Sequence, residues 1–235
     1  MIKFVLNAAD CHLRSSAILG KILRLTGFVV AVVFGLSACG RPLSLASEAL
    51  SSGSVLFQDD FSSPESGWRQ GGDTNGVTGY FEDGFRIYVG AKKAAKVTVP
   101  GLDFKDTIIE VDVEKHAGPD DNLFGVVCRY QDEANFYFFE VSSDGYYGIG
   151  KYAEGQWQLL GMDQMQTTDA IHQGTQRNHL RVECVQDRLG LYVNGNKLVE
   201  IQDTSYPVGD VGLLAGTLTT EGTDVIFDNF SVLKP

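Results

Sequence analysis

From residue 54 to its end, the chain is a succession of short β-branched and aromatic runs, each closed by a turn signal, without the three-to-four-residue apolar period of a helix. Fourteen such runs, at 55–58, 79–82, 85–89, 95–99, 107–114, 123–130, 136–142, 146–152, 156–160, 180–185, 189–193, 197–201, 211–215 and 225–233, read as strands. Glu82-Asp83-Gly84, Ser143-Asp144-Gly145, Glu154-Gly155 and Asn194-Gly195-Asn196 read as hairpin connections, because glycine relieves the strain of positive φ in tight turns. With no helix to cover a sheet, the sheets must cover each other. The expected fold is all-β, a two-sheet antiparallel jelly-roll sandwich over residues 54–235. Only 161–178 lacks a clear period; it is expected as a loop or a short helix across a sheet edge.

The N-terminal part has a different logic. Lys21 and Arg24 precede an apolar run, FVVAVVFGL at 28–36, which small residues Ser37 and Ala38 close. A positive region, a short apolar region and a small-residue cleavage site make a secretory signal. The run is too short to span a bilayer, which takes roughly 20 residues. Leu36-Ser37-Ala38-Cys39-Gly40 resembles the lipobox of bacterial lipoproteins, which implies cleavage before Cys39 and acylation of its thiol. Residues 1–38 are therefore expected to be a signal peptide and 39–53 a tether. Such a protein is extracytoplasmic and held to a bacterial membrane by its lipid, since two or three acyl chains anchor stably where one is marginal.

Removing residues 1–38 takes away Lys3, Arg14, Lys21, Arg24 and Asp10, and moves the formal net charge from −11 to −14. So acidic a surface disfavours nucleic acid and anionic membrane faces, both of which demand Lys and Arg. Of the remaining cysteines, Cys128 and Cys184 each sit in a strand-like run with an apolar residue two positions before. Both point inward, and in an oxidising compartment a disulfide between neighbouring strands is expected. His12, His116, His172 and His179 show no metal-ligand spacing.

A hairpin turning at Ser143-Asp144 pairs Glu140 with Tyr147 and Tyr137 with Gly150. Tyr137, Phe139 and Val141 then share a core face over Gly148 and Gly150. The other face collects Val127, Arg129, Phe136, Phe138, Glu140, Tyr147, Ile149 and Lys151. A face mixing aromatics with Arg, Glu and Lys is either a ligand-facing concavity or the seat of the 161–178 loop. In the first case Arg129, Phe136, Phe138, Glu140, Tyr147 and Lys151 are the ligand-binding residues, with rings stacking on sugar and charged groups bonding hydroxyls.

The stretch AGPDDNLFGVVCRYQDEANFYFFEVSSDGYYGIGKYAEGQW, with NHLRVECVQDRLGLYVNGNKLVE and GDVGLLAGT…DVIFDNFSV, resembles concanavalin A-like jelly-roll domains, nearest to the laminin G-like and DUF1080-type modules. That group implies sugar binders, adhesive modules and some hydrolases, and the fold alone assigns no activity. Glu110-Val-Asp112-Val-Glu114 resembles the E-x-D-x-E strand of family 16 glycoside hydrolases. The resemblance implies Glu110 as nucleophile, Asp112 as electrostatic helper and Glu114 as acid/base; the bland reading is a solvated strand face. Related modules also hold a structural Ca²⁺ where first and last strands meet, which implies Asp60 and Asp228 as ligands. The expectation is a non-catalytic, lipid-anchored module that binds a glycan or a surface protein. The alternatives are a family 16-like glycosidase and a structural protein–protein module of the envelope.

Overall fold

The computed structural model describes residues 51–235, all strands and connections with no helix among them. In chain order the first eight strands are β1 (Val55–Asp59), β2 (Gly71–Asp73), β3 (Gly76–Phe81), β4 (Gly84–Val89), β5 (Ala95–Thr98), β6 (Thr107–Ala117), β7 (Asn122–Asp132) and β8 (Asn135–Val141). The others are β9 (Tyr146–Ala153), β10 (Gln156–Leu159), β11 (Gln166–Thr167), β12 (Asn178–Val185), β13 (Arg188–Val193), β14 (Asn196–Gln202), β15 (Asp210–Thr217) and β16 (Thr223–Leu233). Sheet A runs β14-β13-β12-β6-β16-β4-β3-β2, with β1 also on β16; sheet B runs β10-β9-β8-β7-β15-β5, with β11 also on β9. All the pairings are antiparallel. The expected signal peptide, Cys39 and most of the expected tether lie outside the described residues.

The alternation in β6, TIIEVDVEKHA, explains sheet A. Ile109, Val111 and Val113 are buried against sheet B, while Glu110, Asp112 and Glu114 stay half exposed on the other side. Sheet B differs, because β8 and β15 are buried on both faces along almost their whole length. Their inner residues, among them Tyr137, Phe139, Leu213 and Ala215, join the inter-sheet core. Their outer residues Phe136, Phe138 and Leu214 form a second apolar cluster with Val99 and Val127.

Cys128 and Cys184 are bonded and fully buried. Both point inward as expected, but they do not lie on neighbouring strands. Cys128 is on β7 of sheet B and Cys184 on β12 of sheet A, so the bridge crosses the core and ties the sheets together. The stretch 161–178 is neither a free loop nor a helix throughout, since β11 within it pairs with Tyr146 and Tyr147 at the head of β9.

Candidate binding face on sheet B

The β8–β9 hairpin is one residue longer in its loop than a turn at Ser143-Asp144 implies. Ser142 N–H donates to Tyr146 O (2.9 Å) and Gly145 N–H to Ser142 O (3.0 Å), leaving a three-residue loop with Gly145 at φ 93°. The register is therefore Phe136↔Tyr152, Tyr137↔Lys151, Phe138↔Gly150, Phe139↔Ile149, Glu140↔Gly148 and Val141↔Tyr147. A slip of one residue moves every β9 side chain to the other face.

Three of the six expected ligand residues are thereby brought together and three are not. Phe136, Phe138 and Glu140 share the outer face of sheet B. Tyr147 belongs to the inter-sheet core, with its hydroxyl donating to Gln166 Oε1 at 3.0 Å. Lys151 Nζ binds Asp203 Oδ2 (3.0 Å) and Ser205 Oγ (2.7 Å) beside Tyr137. Burial and Asp203 push the Tyr137 hydroxyl up to about 12. Arg129 leaves the face because β7 is irregular after Cys128 and Arg129 itself has φ 49°. Its buried guanidinium donates to the carbonyls of Lys105 (3.1 Å), Tyr206 (3.0 Å) and Gln186 (2.7 Å) and lies 3.4 Å from Asp106. It pins loops at one end of the sandwich and offers nothing to a ligand on the outer face.

The pairings lay the outer face out in rows. One row is Phe136, Tyr152 and Trp157 across β8, β9 and β10. The next is Gly212, Val127, Phe138, Gly150 and Leu159, from β15 to β10. The third is Val97, Leu214, Gly125, Glu140 and Gly148, from β5 to β9. Large-over-small complementarity exists, but on this face: a Cβ on Gly150 would lie 2.4 Å from Phe138 Cζ and 2.2 Å from Gln158 O, so only glycine lets the ring lie down.

Aromatic rings dominate. Trp157, 45% exposed, lies on Phe138 with centroids 5.4 Å apart and planes 8° from parallel. Phe136 is stacked between Tyr130 (5.5 Å) and Tyr152 (5.3 Å). Among them sits one buried carboxyl. Glu140 accepts from Trp157 Nε1 at 3.3 Å, and burial pushes it up to about 7, against the pull of that donor. Of the 161–178 stretch, Met165 reaches over Gly148 beside Leu159, while the Trp157 end stays open. Where β8 turns into β9, Asp121, Ser142, Asp144, Tyr146 and Gln164 line a shallow cavity. Burial, then Asp121 and Asp120, raises the Asp144 carboxyl.

Trp157 and Tyr152 were missed in the sequence, although the Glu154-Gly155 turn held the signal. Closing a two-residue loop there sets Trp157 opposite Tyr152, as observed.

Glu110, Asp112 and Glu114 do share one face, as the period of two requires, but it is the outer face of sheet A. Side chains of the neighbouring β12 segment meet them: Arg181 with Glu110 (2.7 Å), His179 Nδ1 with Asp112 Oδ1 (2.8 Å) and Arg177 with Glu114 (3.4 Å). This is an ion-pair ladder on the opposite side of the sandwich from the aromatic face.

First and last strands do lie together, with Asp59 opposite Phe230. Asp60 lines a cavity there with Asp59, Ser63, Ser66 and Asn229, whereas Asp228 faces Arg177 at 3.5 Å. Asp59 Oδ1 accepts from Phe61 N–H (2.8 Å), but its buried Oδ2 has no partner. An unpaired buried carboxylate oxygen beside hydroxyls and a second carboxylate fits a hard cation. Among the described residues no three His, Cys, Asp or Glu side chains converge on a metal position, so such an ion would lean on hydroxyl and carbonyl oxygens.

Two antiparallel sheets in this order make a concanavalin A-like jelly-roll sandwich. Similar solved structures include the carbohydrate-binding module CBM66 from Bacillus subtilis (18% identity, TM-score 0.58, covering 72% of this chain and 96% of that one). A galectin-like-fold protein of unknown function from Bacillus subtilis (13%, 0.56, 78% and 97%) and a Bacteroides ovatus mixed-linkage glucan GH16 protein (11%, 0.55, 76% and 100%) share the fold too. The chain belongs to the 3-keto-alpha-glucoside-1,2-lyase-like domain family, whose model matches residues 55–233. No curated protein sequence matches it.

Proposed function

We propose that this protein is a lipid-anchored, extracytoplasmic jelly-roll module whose outer face on sheet B binds a saccharide. One observation carries the reading: a half-exposed indole lies flat against Phe138 and beside a buried carboxyl, on a face that the inter-sheet core does not use. Sugar rings present apolar C–H faces to aromatic rings and hydroxyls to carboxyls, so stacked rings beside a hydrogen-bonding group suit them. The likeness to the carbohydrate-binding module CBM66 supports the ligand class, and the acidic charge favours neutral over anionic glycans. The Cys128–Cys184 bridge supports an oxidising compartment, in line with the signal sequence and lipobox ending at Cys39. A hard cation held by Asp59 and Asp60 would neutralise the carboxylate and fasten β1 to β16; it has no part in saccharide recognition. A glycan array probed with the full chain tests the ligand class. Selective capture of neutral glycans is expected, and a blank array would sink the reading.

A second reading is favoured by the family itself. Its name describes 1,2-elimination from 3-keto-α-glucosides, and Glu140 is a carboxyl poised near neutrality on the proposed saccharide face.

A further inference from the structure

Among the described residues only two Trp, Tyr or Phe side chains are exposed, Trp157 (45%) and Tyr146 (42%), and both stand on the outer face of sheet B. Tyr147 and Ile149 point into the inter-sheet core, so Tyr146, Gly148, Gly150 and Tyr152 alternate outward along β9. Trp157 is paired with Tyr152 at one end of this lane, and Tyr146 stands at the other. Six strand steps of ~3.4 Å set Tyr146 about 20 Å from Tyr152, the length of roughly four pyranose rings in line. The floor between them is continuous and apolar. Trp157 lies on Phe138, Leu159 and Met165 close over Gly148, and Met165 goes on to line the cavity beside Tyr146. We infer that this cavity is a second saccharide subsite, and that the ligand is an unbranched neutral glycan chain lying along β9 from Trp157 to Tyr146.

The inference rests on the saccharide reading of the face and adds a ligand length and a second contact point to it. Stacking alone does not choose among hydroxyl patterns, and the middle of the lane offers little else: Glu140 is 3% exposed and holds the indole. The cavity at the far end, of about 430 Å³, supplies polar groups. Asp121, Asp144 and Gln164 line it, and no cation does. Asp120 is turned to Lys115, whereas Asp121 accepts from Thr219 Oγ1 (3.1 Å) and Asp144 from Ser142 Oγ, each through one oxygen. The second oxygen of each carboxyl can accept from sugar hydroxyls, and the Tyr146 ring offers a stacking surface beside them. A uronate here would meet like charge with no counterion, which selects a neutral sugar. A disaccharide on Trp157 leaves the cavity unfilled. A longer chain reaches it as an intramolecular second contact, which tightens binding without any change at Trp157.

The test is calorimetry of the full chain in detergent with four neutral series, malto-, cello-, laminari- and manno-oligosaccharides, each from disaccharide to hexasaccharide. In a series that binds, affinity should rise by about tenfold or more from the disaccharide to the pentasaccharide and then level off. Tyr146→Ala and Asp121→Asn, each melting near the wild type, should flatten that rise, while Trp157→Ala weakens every member of the series. A disaccharide bound as tightly as the hexasaccharide, or a full rise retained in Tyr146→Ala, overturns the inference and leaves the saccharide reading standing. Absence of binding in all four series overturns the inference too, and with a blank glycan array the saccharide reading falls as well.

Discussion

The indole of Trp157 reaches across the Phe138 ring to donate to Glu140, so the most exposed ring of the face holds its buried carboxyl. That donor is the one influence that opposes burial in setting the Glu140 pKa.

Glu140 also makes stability depend on pH. Its pKa rises from an ordinary 4.5 to about 7 on folding, so between those values the folded state holds a proton that the unfolded state has lost. Stability from this group is then greatest below about pH 4.5 and falls as pH rises through 7. The full swing is on the order of 3 kcal/mol. Denaturant melts of wild type and Glu140→Gln at pH 5 and pH 8 check this. The variant should gain on the wild type as pH rises, and a pH-independent difference would contradict the assigned burial.

Cys128 and Cys184 should resist alkylation in unfolded, unreduced protein and label once reductant is added. Closing a chain separation of 56 residues across two sheets is worth about 4 kcal/mol in the chain-entropy model. Urea melts with and without reductant measure it, and coincident curves would count against the bridge.

How much of this was legible in the sequence depended on turn chemistry. Alternation in β6 and β12 gave the sheet A faces correctly, because a core on one side leaves a clean period of two. The all-β sandwich and the inward cysteines followed from the same signal. The binding face did not, since a three-residue loop closed by Gly145 and an irregular β7 at Arg129 each reverse side-chain direction. Both are single-residue backbone events, which composition does not report. Strand order was equally hidden: local pattern says that Cys128 and Cys184 point inward, not that their strands face each other across the core.

The cation proposal concerns Asp59. Millimolar CaCl₂ should raise the Tm of the full chain above its value in EDTA by several degrees, since 1 kcal/mol is worth about 2–4 °C at this size. Asp59→Asn should lose most of that gain. Equal melting of the wild type in both buffers would remove the ion from the account.

For the anchor, Cys39→Ser should abolish incorporation of labelled palmitate and leave uncleaved precursor in the membrane fraction. A variant processed and fractionated like the wild type would show that Cys39 is not acylated.

Saccharide binding at the Trp157 face is most directly tested by calorimetry of the full chain with the strongest glycan from the array, comparing wild type, Trp157→Ala and Glu110→Gln. A stacked aromatic contributes on the order of 1 kcal/mol beyond its buried area, so Trp157→Ala should weaken binding at least several-fold while melting near the wild type. Glu110→Gln, on the outer face of sheet A, should bind like the wild type. Unchanged affinity in Trp157→Ala, with loss in Glu110→Gln, would contradict the account and move the site to the acidic ladder of sheet A.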